Sequence, residues 1–507
     1  MLLVLLGLVV MGCRPGKSAS STGERPKTGG PESQVPPQTE LWYRQSVFGR
    51  HVGYEHQSIR TVAAPEGTVW KITGENRITV NRSGTTIEMV MQYRSTETPS
   101  GALRSFELDM IQGPLQTRQK GRVEGRQLLL EIETAGRREK TTVVIPGQCG
   151  GFLGIQAALW RRPMQPGEQR TLHLFLPGLN EVGETRLAAE DWESLTTADG
   201  TFRLLRIRVA TRVGGSAAPL HSVLWTDDTG LVRRQRLEAL DLISELTDKA
   251  KATADPTAMP DLVGDIRIPV DNIPQDKDLA SARKAVYRVS FPEAEIEIPS
   301  FADFRQSARL LDDHTVEVEV RACRLQDGES RPPACDETPS AEDANPNAYI
   351  QSDAPEIRNM AEAAIREAQA DSPQSQISAL EAYVHRVMVN RNYRNAFATA
   401  LDAARKLEGD CTEHAVLLAA LARARGFPAR IAMGLLYHEG AFYYHMWTEV
   451  WLEDCWAPLD ATLGMGGVGV GHITLARSNL ASPAAFADFL PLMQVIGRIG
   501  IEIVRVE

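Results

Sequence analysis

Aromatic residues are scarce in this chain, at 6%, and cysteines number six in 507 residues. So few cysteines exclude a disulfide scaffold. No apolar run reaches the roughly 20 residues that a membrane-spanning helix needs; the one strongly apolar stretch, Leu2 to Gly12, has eleven. A basic excess is missing too. Against 55 Lys and Arg stand 65 Asp and Glu, a formal charge of -10, and phosphate binding needs a basic surface, so nucleic acid is excluded as the main partner. At 43% hydrophobic residues the chain has enough apolar surface to fold. Its length exceeds the size at which one core stops growing, which predicts two to three domains.

The Leu2–Gly12 run has the length of a signal-peptide apolar region, which predicts a signal peptide over residues 1–12 and export. Val10-Met11-Gly12-Cys13 resembles the lipobox of bacterial lipoprotein precursors, although no Lys or Arg precedes the run and Met11 is bulky for its place. The resemblance implies lipidation at Cys13 and a membrane partner reached through a lipid anchor. Arg14 to Thr39 is rich in Pro, Gly, Ser and Thr, the composition of a flexible tether; residues 13–40 are read as that tether. Outside the cytoplasm disulfides persist. Cys323 and Cys335 flank a Gly/Pro-bearing loop and are either bridged or two unrelated free thiols.

From Leu41 to about Leu246 apolar and polar residues alternate, as in Ile87, Met89, Met91, Tyr93 and in Leu205, Ile207, Val209. Period two means strands with one buried face, so residues 41–248 are read as an antiparallel β-rich domain. Residues 249–280 are punctuated by Pro and Asp and read as a linker; 281–350 read as a small β region and loop. Near residue 351 the period becomes helical and a final domain, 351–507, begins. Asp353 and Glu356 have the spacing of a capping box, Ser375–Val389 reads as an amphipathic helix, and Ala398–Leu407 as another.

Thr412 to Arg425 is a further helix, stopped by Gly426 and Pro428. Cys411 therefore sits at its first turn, where unpaired N–H groups and the helix dipole stabilise a thiolate. Two strands follow, Ala429–Tyr437 and Phe442–Leu452, the second carrying His445; the chain then turns at Glu453-Asp454 and returns to Asp460. His445 and Asp460 thus lie on neighbouring antiparallel strands. Cysteine, histidine and carboxylate in that order make a set for acyl transfer: the histidine takes the thiol proton, and the aspartate fixes the imidazole tautomer and stabilises the imidazolium. Trp447 shares the His445 face by alternation and is a substrate-cleft candidate, against the commoner role of packing a strand pair.

Four blocks in order, Gly409-Asp410-Cys411-Thr412-Glu413-His414-Ala415, Arg425-Gly426-Phe427-Pro428-Ala429-Arg430, His445-Met446-Trp447-Thr448-Glu449-Val450 and Trp456-Ala457-Pro458-Leu459-Asp460-Ala461-Thr462, resemble the bacterial transglutaminase-like core. The resemblance runs from about residue 351 to 471. It implies an α+β, multidomain protein in which a papain-like core follows the β-rich region. It also implies Cys411 as nucleophile, His445 as general base and Asp460 as its orienting partner, with a protein or peptide as substrate. No cofactor and no metal are expected. The family's oxyanion donors are the cysteine N–H and an upstream Trp or Gln. Neither residue occurs between Ile377 and Cys411, so Asn390, Asn392 or Tyr393 is the candidate to stand in.

Blander readings compete with these. Cys411 as a small core residue conflicts with its helix-start position and the later His and Asp. Cys411, His414, His445 and Cys455 offer a zinc set, at odds with the role given to Asp460; His414 and Glu413 otherwise read as structural or exposed and Cys455 as a free or packed thiol. Arg423, Arg425 and Arg430 need only surface charge or local pairing. Gly464–Gly471 lacks the Lys-Ser/Thr ending of a phosphate loop and reads as a flexible flap or turn. The leading function is a cell-envelope cysteine enzyme acting on amide bonds, with hydrolase and transglutaminase both open. The competing one is a catalytically idle envelope lipoprotein whose β-domain holds a ligand or partner.

Overall fold

The computed structural model describes residues 38–507 apart from 66, 114, 214–218, 239–240, 257–258, 273–278, 292–297, 299, 326–336, 390–396 and 482–487. The signal segment, Cys13, Cys335, Asn390, Asn392 and Tyr393 therefore lie outside the described residues. Contacts divide the chain into two units. One takes the chain up to Pro260, except Asn81–Ile87 and Gly113–Leu115; those two short segments go with Asp261–Glu507 in the other.

The first unit is one antiparallel sheet, as the alternating pattern predicts. Its strands are β1 (Gln38–Val47), β2 (Arg50–Ala64), β3 (Gly67–Arg82), β4 (Thr85–Glu97), β5 (Leu103–Gln112), β6 (Leu115–Glu124), β7 (Gln127–Thr134), β8 (Arg137–Val144), β9 (Gln169–Leu176), β10 (Glu181–Thr197), β11 (Gly200–Arg212), β12 (Leu220–Thr226), β13 (Val232–Leu237) and β14 (Leu242–Thr247). Their order is β8 back to β1, then β14 back to β9, so every chain-consecutive pair except β8 and β9 is a hairpin. Gly150 ties the two arms of this run together: its N–H donates to His173 O, its carbonyl accepts from Phe175, and Cys149 O accepts from Leu103. The buried face closes on Phe152, just before α1 (Gly154–Arg161), whose ring stacks 4.2 Å from that of Tyr93. Burying each such ring contributes about 1.5–3 kcal/mol.

A short helix, α2 (Lys249–Ala252), follows β14 in the first unit. In the second unit four helices, α3 (Pro355–Ala368), α4 (Pro373–Val387), α5 (Ala400–Lys406) and α6 (Cys411–Ala424), precede strands β20 (Ala429–His438), β21 (Ala441–Leu452) and β22 (Cys455–Leu459). The sheet runs β15 (Ile268–Pro269), β21, β20, β24 (His472–Ser478), with β22 paired to β21. Residues 268–269, inside the segment read as a linker, thus supply an edge strand. Nearly all of α6 is buried, which fits its run from Ala415 to Ala422: a helical stretch apolar all round belongs in a core. A second sheet joins β16 (Lys284–Ser290), β17 (Gln306–Asp312) and β18 (Thr315–Arg321) to the chain's last strand, β25 (Gly500–Val506). A short helix, α7 (Leu490–Val495), precedes that last strand.

Several local expectations need correction. Helix α3 has Ala354 as its N-cap with no side-chain cap bond, because Pro355 occupies the first turn and fixes the boundary one residue after Asp353; Glu356 instead meets Arg405 at 2.6 Å. Helix α4 starts two residues early, at Pro373, since Ser372 caps it. Cys323 is a buried free thiol, so it forms no bridge with Cys335; it lies in β19 (Cys323–Arg324), which pairs with β23 (Gly467–Val468). That pairing also fixes the Gly464–Gly471 segment, which is no flap: a Cβ on Gly467 would stand 2.3 Å from Cys323 O, and one on Gly464 2.5 Å from the His385 ring.

Candidate active site

Cys411 opens α6, and the preceding residues are built to hold it there. Gly409 has φ +146°, and a Cβ on it would meet Glu413 at 2.5 Å. Asp410 is the N-cap: its Oδ1 accepts from the Thr412 N–H and hydroxyl, both at 2.8 Å. Glu413 returns the bond, its Oε2 accepting from Asp410 N–H at 2.9 Å, which makes a reciprocal capping box. Glu413 Oε1 accepts from Ala398 N–H, and His414 Nδ1–H donates to Asp410 O at 2.7 Å. Both residues are buried structural groups. The other oxygen of Asp410 faces Arg82, whose Nη2 is 2.7 Å away. Burial works against the Asp410 charge, yet Arg82 and Thr412 hold its carboxyl below the usual range; burial and the Asp410 charge push Glu413 up to about 8.

Three described cysteines are free, and Cys411 alone of them is not buried. Burial pushes Cys149 up to about 12 and Cys323 up to about 11, values at which a thiol is inert near neutrality. The fourth, Cys455, is disulfide-bonded and not the free or packed thiol expected; that bond, with His414 committed to Asp410, removes the candidate zinc set.

Strands β21 and β22 pair Thr448 with Leu459 and Leu452 with Cys455, so Asp460, next after β22, falls diagonally from His445 on the same face. His445 Nε2–H donates to Asp460 Oδ2 at 2.8 Å, which leaves Nδ1 for Cys411, within side-chain hydrogen-bond reach. Asp460 is wholly buried, and its Oδ1 accepts from Thr462 N–H at 2.9 Å. Burial would lower His445, but Asp460 and Cys411 outweigh it and raise the imidazolium to about 10. Burial likewise opposes the Asp460 charge, and the two imidazoles that meet it hold the carboxyl well below the usual range.

The second imidazole is His472, at the start of β24; its Nε2 is 3.1 Å from the same Asp460 Oδ2. Trp447 does lie on the His445 face, but it is only 1% exposed and its ring stands edge-on to His472 at 5.3 Å, a wall behind the histidines. Nearby, Glu381 of α4 is buried; burial first, then the Asp460 charge, raises its carboxyl to about 8, against the pull of the backbone of Gly467, Asp460 and Gly466. Arg423 and Arg430 are buried, unlike surface charges. Arg423 donates to Ala429 O, while Arg430 lies 4.0 Å over the Trp456 ring and pairs with Glu449.

The ligand atoms of His445, Asp460 and His472 lie within 4.8 Å of one another. They are already spent on hydrogen bonds within the set. His472, Arg82 and Glu381 are the site residues that sequence reading missed. Only His472 left a trace: it opens the alternating run His472-Ile473-Thr474-Leu475, a strand signal 12 residues after Asp460.

Residues 358–461 match the Transglutaminase-like superfamily, a span that contains Cys411, His445 and Asp460. No curated protein matches the chain. Among solved structures, it is similar to a β-barrel-like protein of a domain of unknown function from Brucella abortus (10% identity, 42% of this chain and 96% of that one, TM-score 0.32). It is also similar to a candidate cysteine protease from Cytophaga hutchinsonii (16% identity, 43% and 82%, TM-score 0.26) and a candidate protease from Parabacteroides distasonis (10% identity, 71% and 68%, TM-score 0.18). At these scores none of the three decides an activity.

Proposed function

From a chain that carries a transglutaminase-like domain at residues 358–461, we propose a cysteine enzyme of the cell envelope that acts on protein or peptide amide bonds through an acyl-thioester. One observation carries this reading: among the described cysteines, the free thiol that is not buried begins a capped helix and lies within hydrogen-bond reach of an imidazole held by a buried carboxylate. Cys411 as thiolate attacks the amide carbon. The His445 imidazolium gives its proton to the leaving amine as the C–N bond breaks, leaving the acyl group on sulfur. Neutral His445 then takes a proton from water or a primary amine as that group attacks, and the thiolate departs. The Cys411 N–H, in a first turn that offers no intrahelical acceptor, is placed to receive the oxyanion. Water as acceptor makes the enzyme a peptidase or amidase, and a lysine amine makes it a transglutaminase.

The envelope location, with Cys13 lipidated and the chain held at a membrane, rests on the Leu2–Cys13 segment and is supported by the disulfide at Cys455, a bond that persists in oxidising compartments. The test offers a glutamine-containing peptide with and without a primary amine to wild type and Cys411→Ala. Cys411-dependent ammonia release without incorporation identifies a hydrolase, and incorporation identifies a transglutaminase. A broad peptide panel with no Cys411-dependent product sinks the enzyme reading in favour of a ligand-holding envelope scaffold.

A further inference from the structure

We infer that His472 is a positioning residue of this site: it donates Nε2–H to Asp460 Oδ2 and thereby shares out the carboxylate charge that His445 depends on. The inference rests on the enzyme reading above for its consequence, though not for its geometry. Two imidazole Nε2 atoms converge on one carboxylate oxygen, at 2.8 Å from His445 and 3.1 Å from His472. All three residues are at least nine-tenths buried, so no bulk water dilutes the arrangement. An ionised carboxylate only accepts hydrogen bonds, which fixes the proton on Nε2 in both rings. In His445 this leaves Nδ1 as the ring nitrogen open to Cys411, which is within side-chain hydrogen-bond reach of the imidazole. In His472 the remaining Nδ1 is buried and has no partner among the described residues. A protonated Nδ1 there would be an orphaned buried donor next to a cation, whereas a bare lone pair costs less. His472 is therefore a neutral donor, in keeping with the direction in which burial moves it.

The surrounding chain supports the ring from behind. Arg305 Nη2 donates to the His472 carbonyl at 2.6 Å, and Nη1 to Arg321 O at 2.8 Å. Strand β24 reaches the site because Gly434 lies between it and β21: Gly434 pairs with His445 on one side and Thr474 on the other, and a Cβ there would stand 1.9 Å from Ile473 O. The charged or titratable groups facing the pair are Cys411 from α6, Glu381 from α4, and Arg305 before β17. None of these donates to Asp460 Oδ2, and no second histidine substitutes for His472 among the described residues.

The consequence has a sign. A neutral donor on Oδ2 draws carboxylate charge away from His445. Removing it concentrates that charge on the His445 Nε2–H, so the imidazolium holds its proton to higher pH. The test reads this without a known substrate, from the pH dependence of Cys411 alkylation by iodoacetate in the full chain. The anionic reagent is drawn in by the imidazolium, so its rate falls when His445 deprotonates. His472→Leu should move that fall upward by roughly half a pH unit or more, and His472→Gln, which keeps an N–H donor, should restore it to the wild-type position. A purely structural role would lower the reactive fraction and leave the midpoint in place; that result, or failure of glutamine to restore it, overturns the inference. If His472→Leu does not fold, the wild-type ring still answers: ¹⁵N shifts should show His472 neutral with the proton on Nε2 from pH 5 to 9, and a protonated Nδ1 overturns the assignment. A wild-type profile with no imidazolium-dependent fall would instead sink the enzyme reading, while the His472 tautomer stands or falls by its own shifts.

Discussion

Arg82 Nη2 lies 2.7 Å from Asp410 Oδ2, and Asp410 Oδ1 caps the helix that begins with Cys411. The carboxylate is 5% exposed and the guanidinium 16%, so the pair sits mostly out of water. Removing one partner of a buried pair leaves the other charge uncompensated, at a cost of about 3–5 kcal/mol when burial is complete. Arg82→Ala should therefore destabilise the chain by roughly 2–3 kcal/mol in urea unfolding and slow Cys411 alkylation, because the cap that sets the thiol's position loosens. Arg82→Lys should recover part of both, as a single ammonium replaces a fork. Unchanged stability in the alanine variant would show that the pair is not holding the cap.

The pH range of the site follows from His445 and Asp460. The imidazolium is raised from 6.5 to about 10, so its pairing contributes stability that is full below about pH 6.5 and is lost as pH rises toward 10. Asp460 is shifted the other way, downward from 3.8; its contribution is present above that value and is lost as pH falls below it. Asp460→Asn removes the charge that opposes burial. The imidazolium should then deprotonate more than one pH unit lower in the iodoacetate profile, and turnover should fall by about 10²–10⁴. A profile that keeps its wild-type midpoint would remove Asp460 from the role given to it.

Gly434 offers a steric test of the same geometry. Its missing side chain is what lets β24 close on β20, and a Cβ would stand 1.9 Å from a backbone oxygen, which no rotamer change relieves. Gly434→Ala should cost about 1–3 kcal/mol of stability, the usual range for overpacking a core. It should also carry His472 away from Asp460, shifting the iodoacetate midpoint upward as His472→Leu does. Lost stability without the shift would mean that the strand yields elsewhere.

The legible part of the chain was local. Period-two alternation gave the β-rich region, and a glycine, an acid and a cysteine before an Ala/Leu helix gave the Cys411 position. His445 and Asp460 followed from a hairpin, since β21 and β22 are joined by a tight turn and their register is set by it. What stayed hidden depends on contacts between distant segments. His472 meets Asp460 because β24 crosses to the far side of β20 and not because of its place in the sequence. Arg82 meets Asp410 across more than three hundred residues. Trp447 was placed on the right face, but alternation cannot tell a ring that lines an opening from one that backs the histidines. Loop proximity leaves Cys323 and Cys335 open between a bridge and two free thiols, because it does not see that β19 pairs Cys323 with Val468 in the core as a free thiol; for Cys455, read as a free or packed thiol, no local pattern signals the disulfide it forms.

Cys455 gives the last test. It is disulfide-bonded while Cys149, Cys323 and Cys411 are free, and it opens β22, the strand that ends beside Asp460. Trp456 Nε1–H donates to Glu337 O at 3.0 Å, so the start of this strand is also held by a segment more than a hundred residues upstream. Losing a native disulfide costs about 2–5 kcal/mol; here the loosened strand is the one that positions the carboxylate. Cys455→Ser should lower the urea midpoint by that order and reduce the rate of Cys411-dependent turnover, with Cys411 itself still open to alkylation. Peptide mapping of the chain alkylated under denaturing, unreduced conditions should recover Cys149, Cys323 and Cys411 as free thiols and Cys455 only in a cross-link. Recovery of Cys455 as a free thiol from protein purified without reductant would remove both the staple and the support it lends to an oxidising location.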